Sequence, residues 1–170
     1  MKVKNSIIFA MILAASLSRL IPHLPNMTAV SAMALFAGSM WGLSVATFLI
    51  PMAIMSLTDL VFGLHPTMTY VYGSFVAISL LGALFLRERR GVKVVAFSLL
   101  SSALFFAITN LGYWAEGGFY PHNFSGLVEC YVAGLPFVKN QVVGDLMYSA
   151  ILFAAYDFVI RRNERTVASL

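Results

Sequence analysis

Charge is what this sequence has least of. Only 11% of its 170 residues are Asp, Glu, Lys or Arg, 60% are hydrophobic, and the mean hydropathy is +0.86. Soluble domains carry about a quarter charged residues and roughly half apolar ones, so water is not the main solvent of this chain. A single cysteine, Cys130, excludes an intrachain disulfide and leaves the redox compartment open. The chain also lacks a G-x-x-x-x-G-K-S/T loop for nucleotide phosphates, a G-x-S-x-G nucleophile elbow, the metal motifs HExxH and CxxC, and any acidic pair at helical spacing. The sequence therefore reads as a non-enzyme without a cofactor, and energised work would have to be driven by a partner.

Long apolar runs are what it has in their place. They cover residues 6–21, 28–40, 43–62, 69–86, 92–111 and 141–160. A helix needs about 20 apolar residues to cross about 30 Å of hydrocarbon, so a chain of 170 residues has room for six such helices and no separate soluble domain. The expected fold is all-α, one transmembrane domain over 1–170. The second run is short, reaching only about 20 Å at 1.5 Å per residue.

Charge placement decides whether that run crosses. Lys2 and Lys4 precede the first run, Arg87, Arg89, Arg90 and Lys93 lie between the fourth and fifth, and Arg161, Arg162 and Arg165 follow the last. Basic residues collect on the cytoplasmic side of short loops. Placing all three clusters there requires an even number of crossings between Lys4 and Arg87, which gives six spans with both termini cytoplasmic. The net charge of +4 is then a topology signal and does not call for a nucleic-acid partner. A second parse stays open: Lys2, Lys4, the apolar 7–17 stretch and the small residues Ala14, Ala15, Ser16 and Ser18 also look like a cleavable signal peptide, which would leave five spans.

This topology gathers His23, His65 and His122 on the outer side, one in each outer loop, with Cys130, and puts Arg19, Asp59, Asn110 and Asp145 near the outer helix ends. Ionisable groups at membrane depth are costly unless paired or facing a wet cavity, so each is a functional candidate. Gln141, Asp145 and Tyr148 share one helical stripe, expected to face the bundle interior. Asn26, Trp114 and Asn140 complete the candidate binding set. The competing reading is a structural ion pair of Arg19 with Asp59 or Asp145. Imidazole and thiolate are common metal ligands, so His23, His65, His122 and Cys130 are the only metal candidates, without a supporting motif. The segment 112–140 reads as a long outer loop rich in aromatics, with 126–138 as an interfacial or re-entrant helix acting as a lid. Pro51 predicts a kink in the third helix.

Ala10 and Ala14, continued by Ser18, form a small-xxx-small stripe on the first helix. With six short helices and three outer loops over a pocket, this pattern resembles the substrate-binding S-components of energy-coupling factor transporters, which are prokaryotic vitamin importers. The stretches 18–26 (SRLIPHLPN), 59–65 (DLVFGLH) and 135–145 (LPFVKNQVVGD) are also similar to an uncharacterised group of bacterial membrane proteins related to S-components. The resemblance implies a place in the bacterial cytoplasmic membrane, a small-molecule ligand captured on the outer side, docking of the Ala10 and Ala14 stripe on a transmembrane coupling subunit, and two cytoplasmic ATPases as the drive. Some cobalamin-binding S-components use an outer-loop side chain as a cobalt ligand, a role open to His65 or Cys130. Two other readings compete: a membrane scaffold for envelope assembly and a metal-dependent membrane enzyme.

Overall fold

The computed structural model describes the backbone of residues 2–88 and 91–168 and the side chains of 4–88 and 91–160. Arg89 and Arg90, and the side chains of Lys2, Arg161, Arg162 and Arg165, lie outside the described residues. Those described form six α-helices and no strand: α1 (Lys2–Leu17), α2 (Val30–Trp41), α3 (Val45–Phe62), α4 (Met68–Phe85), α5 (Gly91–Glu116) and α6 (Phe124–Ala168), with a 3-10 turn (Ser18–Leu20) after α1. Four of them, α3 to α6, are long and apolar enough to cross a membrane.

The helices run up and down. Trp41 at the end of α2 donates to Asn5 at the start of α1, and Ser39 of α2 donates to the Leu86 carbonyl at the end of α4. At the other end of the bundle Arg19, just past α1, reaches Thr58 near the end of α3. One end therefore collects Lys4, Arg87 and Lys93; the opposite end collects the three histidines. We refer to them as the basic end and the histidine end.

Short α2 is the hub. Ten of its twelve residues are buried, and it packs on every other helix, most extensively on α4. Gly38 and Gly82 make that approach possible: a Cβ on Gly38 would overlap the backbone at Ser79 and Ala83, and one on Gly82 would overlap Leu35 and Ser39. Small residues let helix backbones come this close in lipid, where dispersion and close packing replace the hydrophobic effect as the cohesive force between helices. On its other side Phe36, 0% exposed, meets Phe153 and Tyr156 of α6 edge-on at 5.2 and 5.9 Å between centroids. A helix wrapped by its neighbours need not match the bilayer thickness, which accounts for about 18 Å of helix at this position. The outward faces of α3 and α5 are apolar, with Leu49, Leu57, Leu60, Val92 and Val95 all exposed, as lipid contact demands.

The last third of the chain departs from the expected loop. Residues 112–140 are almost wholly helical: α5 continues to Glu116, a turn covers 117–123, and α6 starts at Phe124. Hydropathy missed this because Glu116, Glu129 and Lys139 interrupt the apolar run without interrupting the helix. The extension is zipped onto α5. Tyr131 donates to the Ala107 carbonyl, Cys130 to that of Asn110, and Gly134 lies so close to Asn110 that a Cβ would overlap its amide. The separate lid helix is thus the first half of α6, which runs through Pro136 without a break in helical assignment. Pro51 is likewise accommodated inside α3.

Candidate functional site

Loops at the histidine end are drawn together by three local networks. Arg19 Nη1 lies 3.0 Å from Asp59 Oδ1, donates to Thr58 Oγ1 at 2.6 Å, and its guanidinium carbon stands 5.2 Å from the centre of the Phe62 ring. Tyr72 of α4 donates to the second Asp59 oxygen at 2.7 Å. The carboxylate is thus shared by a cation and a phenol from different helices, tying α1, α3 and α4 together. Of the two partners the sequence left open for Arg19, the structure selects Asp59. In the second network Trp114 Nε1 donates to the Pro121 carbonyl at 2.9 Å, while His122 Nε2 and the Trp114 carbonyl are 3.0 Å apart. These bonds, with Tyr113 stacked on Phe119 at 5.6 Å, close the 117–123 turn. The third is one bond, from Asn140 Nδ2 to the Pro25 carbonyl at 3.2 Å.

Between these networks opens a cavity of about 520 Å³. Pro25 and Asn26 precede α2, Thr67 and Val71 come from the start of α4, Phe105, Thr109, Asn110 and Tyr113 from α5, Tyr120 from the turn, and Cys130, Ala133, Gly134 and Phe137 from α6. Asn26 holds the left-handed conformation, φ 61°, which Asn tolerates better than most residues. Four aromatic rings face a few amide, hydroxyl and thiol groups, and no lining residue is charged. Cavities of this size with apolar walls and sparse polar groups are the usual form of small-molecule sites.

The sequence-derived candidates divide into four groups. Asn26 and Asn110 line the cavity, and Asn140 braces its rim. Arg19 and Asp59 form the ion pair beside it. His23, His65 and His122 are exposed, each satisfied locally: His23 by the Ile21 carbonyl at 2.7 Å, His65 by Thr67 Oγ1 at 2.9 Å and His122 by Trp114. They do not converge with Cys130, which is 2% exposed in the cavity wall, and among the described residues no three His, Cys, Asp or Glu side chains are grouped to hold a metal. One histidine per loop reflects one local partner per loop, a carbonyl for His23 and His122 and a hydroxyl for His65.

Gln141, Asp145 and Tyr148 form the fourth group, below the cavity on α6. Gln141 and Asp145 are 3% and 2% exposed, and Tyr148 is half-buried against the core. Ser102 of α5 donates to Asp145 Oδ2 at 2.6 Å, Gln141 Nε2 donates to the Ser102 carbonyl at 3.0 Å, and the Ser31 side chain of α2 also hydrogen-bonds the carboxylate. Ser31 and Ser102 went unnoticed in the sequence because serines are common in such helices. A signal was available: Ser98 and Ser102 recur one turn apart, matching Asp145 and Ser149 on the facing helix.

A family model matches residues 1–168, that is, nearly the entire chain. The chain belongs to the family of unknown function DUF6580. Membership therefore extends over the cavity, the ion pair and the Asp145 cluster of this DUF6580 chain alike. No curated protein and no solved structure matches it.

Proposed function

We propose that this protein is a substrate-capture subunit of the bacterial cytoplasmic membrane, taking up a small uncharged, partly aromatic molecule from the outer side. The observation that carries this reading is the 520 Å³ cavity, walled by rings and neutral polar groups at the end of the bundle opposite Lys4, Arg87 and Lys93. Six crossings with both termini cytoplasmic follow when those cations face inward. The cavity mouth then faces outward. Ala10 and Ala14 are exposed on α1 while Ile8, Ile12 and Ala15 of the same helix are buried. This supports a docking stripe toward a transmembrane coupling subunit energised by ATPases, in keeping with the likeness to S-components.

The Arg19–Asp59 pair favours a second reading, a membrane scaffold whose polar groups are structural. The two readings part at the cavity. Protein purified in mild detergent is to be examined by native mass spectrometry for a retained small molecule, and by thermal unfolding against a panel of neutral heterocycles, vitamins and tetrapyrroles. A retained mass or a saturable rise in Tm, lost in Ala133→Trp, supports capture. The absence of both, with Ala133→Trp indistinguishable from wild type, would sink it and leave the scaffold.

A further inference from the structure

The Asp145 cluster is a problem of charge before it is a candidate site. A carboxylate 2% exposed in the middle of a helix bundle calls for a counter-charge or a proton, because removal of an ion from water is costly unless it is paired. Among the described residues no cation lies within ion-pair distance of Asp145, and the side chains that reach it from α2, α5 and its own helix are Ser31, Ser102 and Gln141, all neutral. Arg19, a cation of the histidine end, is committed to Asp59.

A second observation is independent of the first. Ser98 and Ser149 are each 1% exposed, and neither hydroxyl has a hydrogen-bond partner. Buried hydroxyls are nearly always paired, so two orphans call for an explanation. Their positions supply one. Ser98 stands one turn from Ser102 on α5 and Ser149 one turn from Asp145 on α6, so each occupies the face that carries the bonded pair. Both turns lead toward the basic end, so the two orphan hydroxyls lie on the same side of the Asp145 carboxylate, one on each of the two facing helices.

We propose that Asp145, Ser31, Ser102 and Gln141, completed by Ser98 and Ser149, form a binding site for one dehydrated Na⁺ ion in the bundle core. The donors are all oxygen, a carboxylate and four hydroxyls, the set a hard cation prefers, and the Gln141 amide N–H steadies the carboxylate from its own helix. One carboxylate balances one positive charge, whereas a divalent ion would leave an uncompensated charge at low dielectric. Transition metals would look for nitrogen or sulfur, and the cluster has no such ligand. A proton on Asp145 would remove the charge but leave Ser98 and Ser149 unpaired. A buried water would pair the hydroxyls but leave the charge. A single Na⁺ answers both, whereas a proton does so only together with a buried water. The site lies one turn below the cavity, since Phe105 and Phe137 of its wall precede or follow Ser102 and Gln141 by a single turn. It stands whether or not the cavity takes a ligand.

The test uses full-length protein in detergent, unfolded thermally while NaCl replaces choline chloride at constant ionic strength and mildly alkaline pH. The expected result is a saturable rise in Tm of several degrees with Na⁺ and none with choline. Asp145→Asn abolishes the rise. Should that variant fail to fold, the double variant Ser98→Ala with Ser149→Ala decides. In choline it should be at least as stable as wild type, having lost two orphan hydroxyls, yet need at least tenfold more Na⁺ for the same response. Ala133→Trp, which fills the cavity, keeps the full response, so the ion site and the cavity succeed or fail separately. Equal Tm in Na⁺ and choline overturns the proposal, as does a response retained in Asp145→Asn or an unaltered response in the double serine variant. A pH response identical in the two salts overturns it in favour of a protonated acid.

Discussion

Arg19 and Asp59 come from helices separated by forty residues of sequence and meet at 3.0 Å, with 15% and 6% of their side chains exposed. Removing one partner leaves the other buried without its counter-charge, whereas removing both removes the problem. Asp59→Asn or Arg19→Met alone should each cost about 3 kcal/mol, the lower end for buried pairs because Arg19 retains some solvent. Arg19→Met combined with Asp59→Leu should recover more than half of that loss. Denaturation of the three variants in one detergent checks it; additive losses would count against a coupled pair.

The α2–α4 contact should be intolerant of a single methyl group. Gly38→Ala and Gly82→Ala each force a Cβ into the opposing backbone, and a loss above about 3 kcal/mol, or failure to accumulate, is expected from overpacking with no side chain able to yield. Gly73→Ala is the control. Nothing stands within 4 Å of its Cβ position on α4, so it should be neutral or stabilising by up to about 1 kcal/mol through helix propensity alone. Expression level and Tm of the three variants separate the outcomes.

Phe36 should be the costliest aromatic to truncate. Wholly buried between α2 and α6, it holds two edge-to-face partners, and Phe36→Ala should cost about 3–5 kcal/mol. Phe119→Ala, at 74% exposed, should cost less than about 1 kcal/mol. Thermal unfolding of both tests the hub role of α2.

Sidedness is open to chemical labelling. Cys130 is the only cysteine, so Cys130→Ser provides a blank on which Ile21→Cys, Leu64→Cys, Phe119→Cys and Glu88→Cys are introduced one at a time, each at an exposed position. A membrane-impermeant maleimide on intact spheroplasts should label the first three and reach Glu88→Cys only after lysis. Labelling of Leu64→Cys and Glu88→Cys from the same side would break the six-crossing topology.

Much of the helical frame was legible in the sequence because lipid-facing helices are written in hydropathy. The expected 43–62 and 69–86 spans fall within two residues of α3 and α4 at each end. The first half of α6 was not legible for the same reason: its outward side chains meet water or the membrane interface, so Glu129 and Lys139 look like loop residues while the backbone remains helical. The site divides along a similar line. Polar residues within apolar runs, such as Asn110 and Asp145, stood out against their background. The apolar walls of the cavity, Phe105, Ala133, Gly134 and Phe137, resemble any lipid-facing residue until α5 and α6 are brought together. Histidines drew attention by chemical versatility, which says nothing of direction, and a local carbonyl or hydroxyl was enough to satisfy each.

The enclosure of α2 also governs how the protein is made. A segment buried on nearly all sides and only 12 residues long gains its stability from its neighbours, and the groove that receives Gly38 does not exist until α4 has been synthesised. The packing of α2 can therefore be completed only after α3 and α4 have both emerged, so the hub of the bundle is finished late although it is made early.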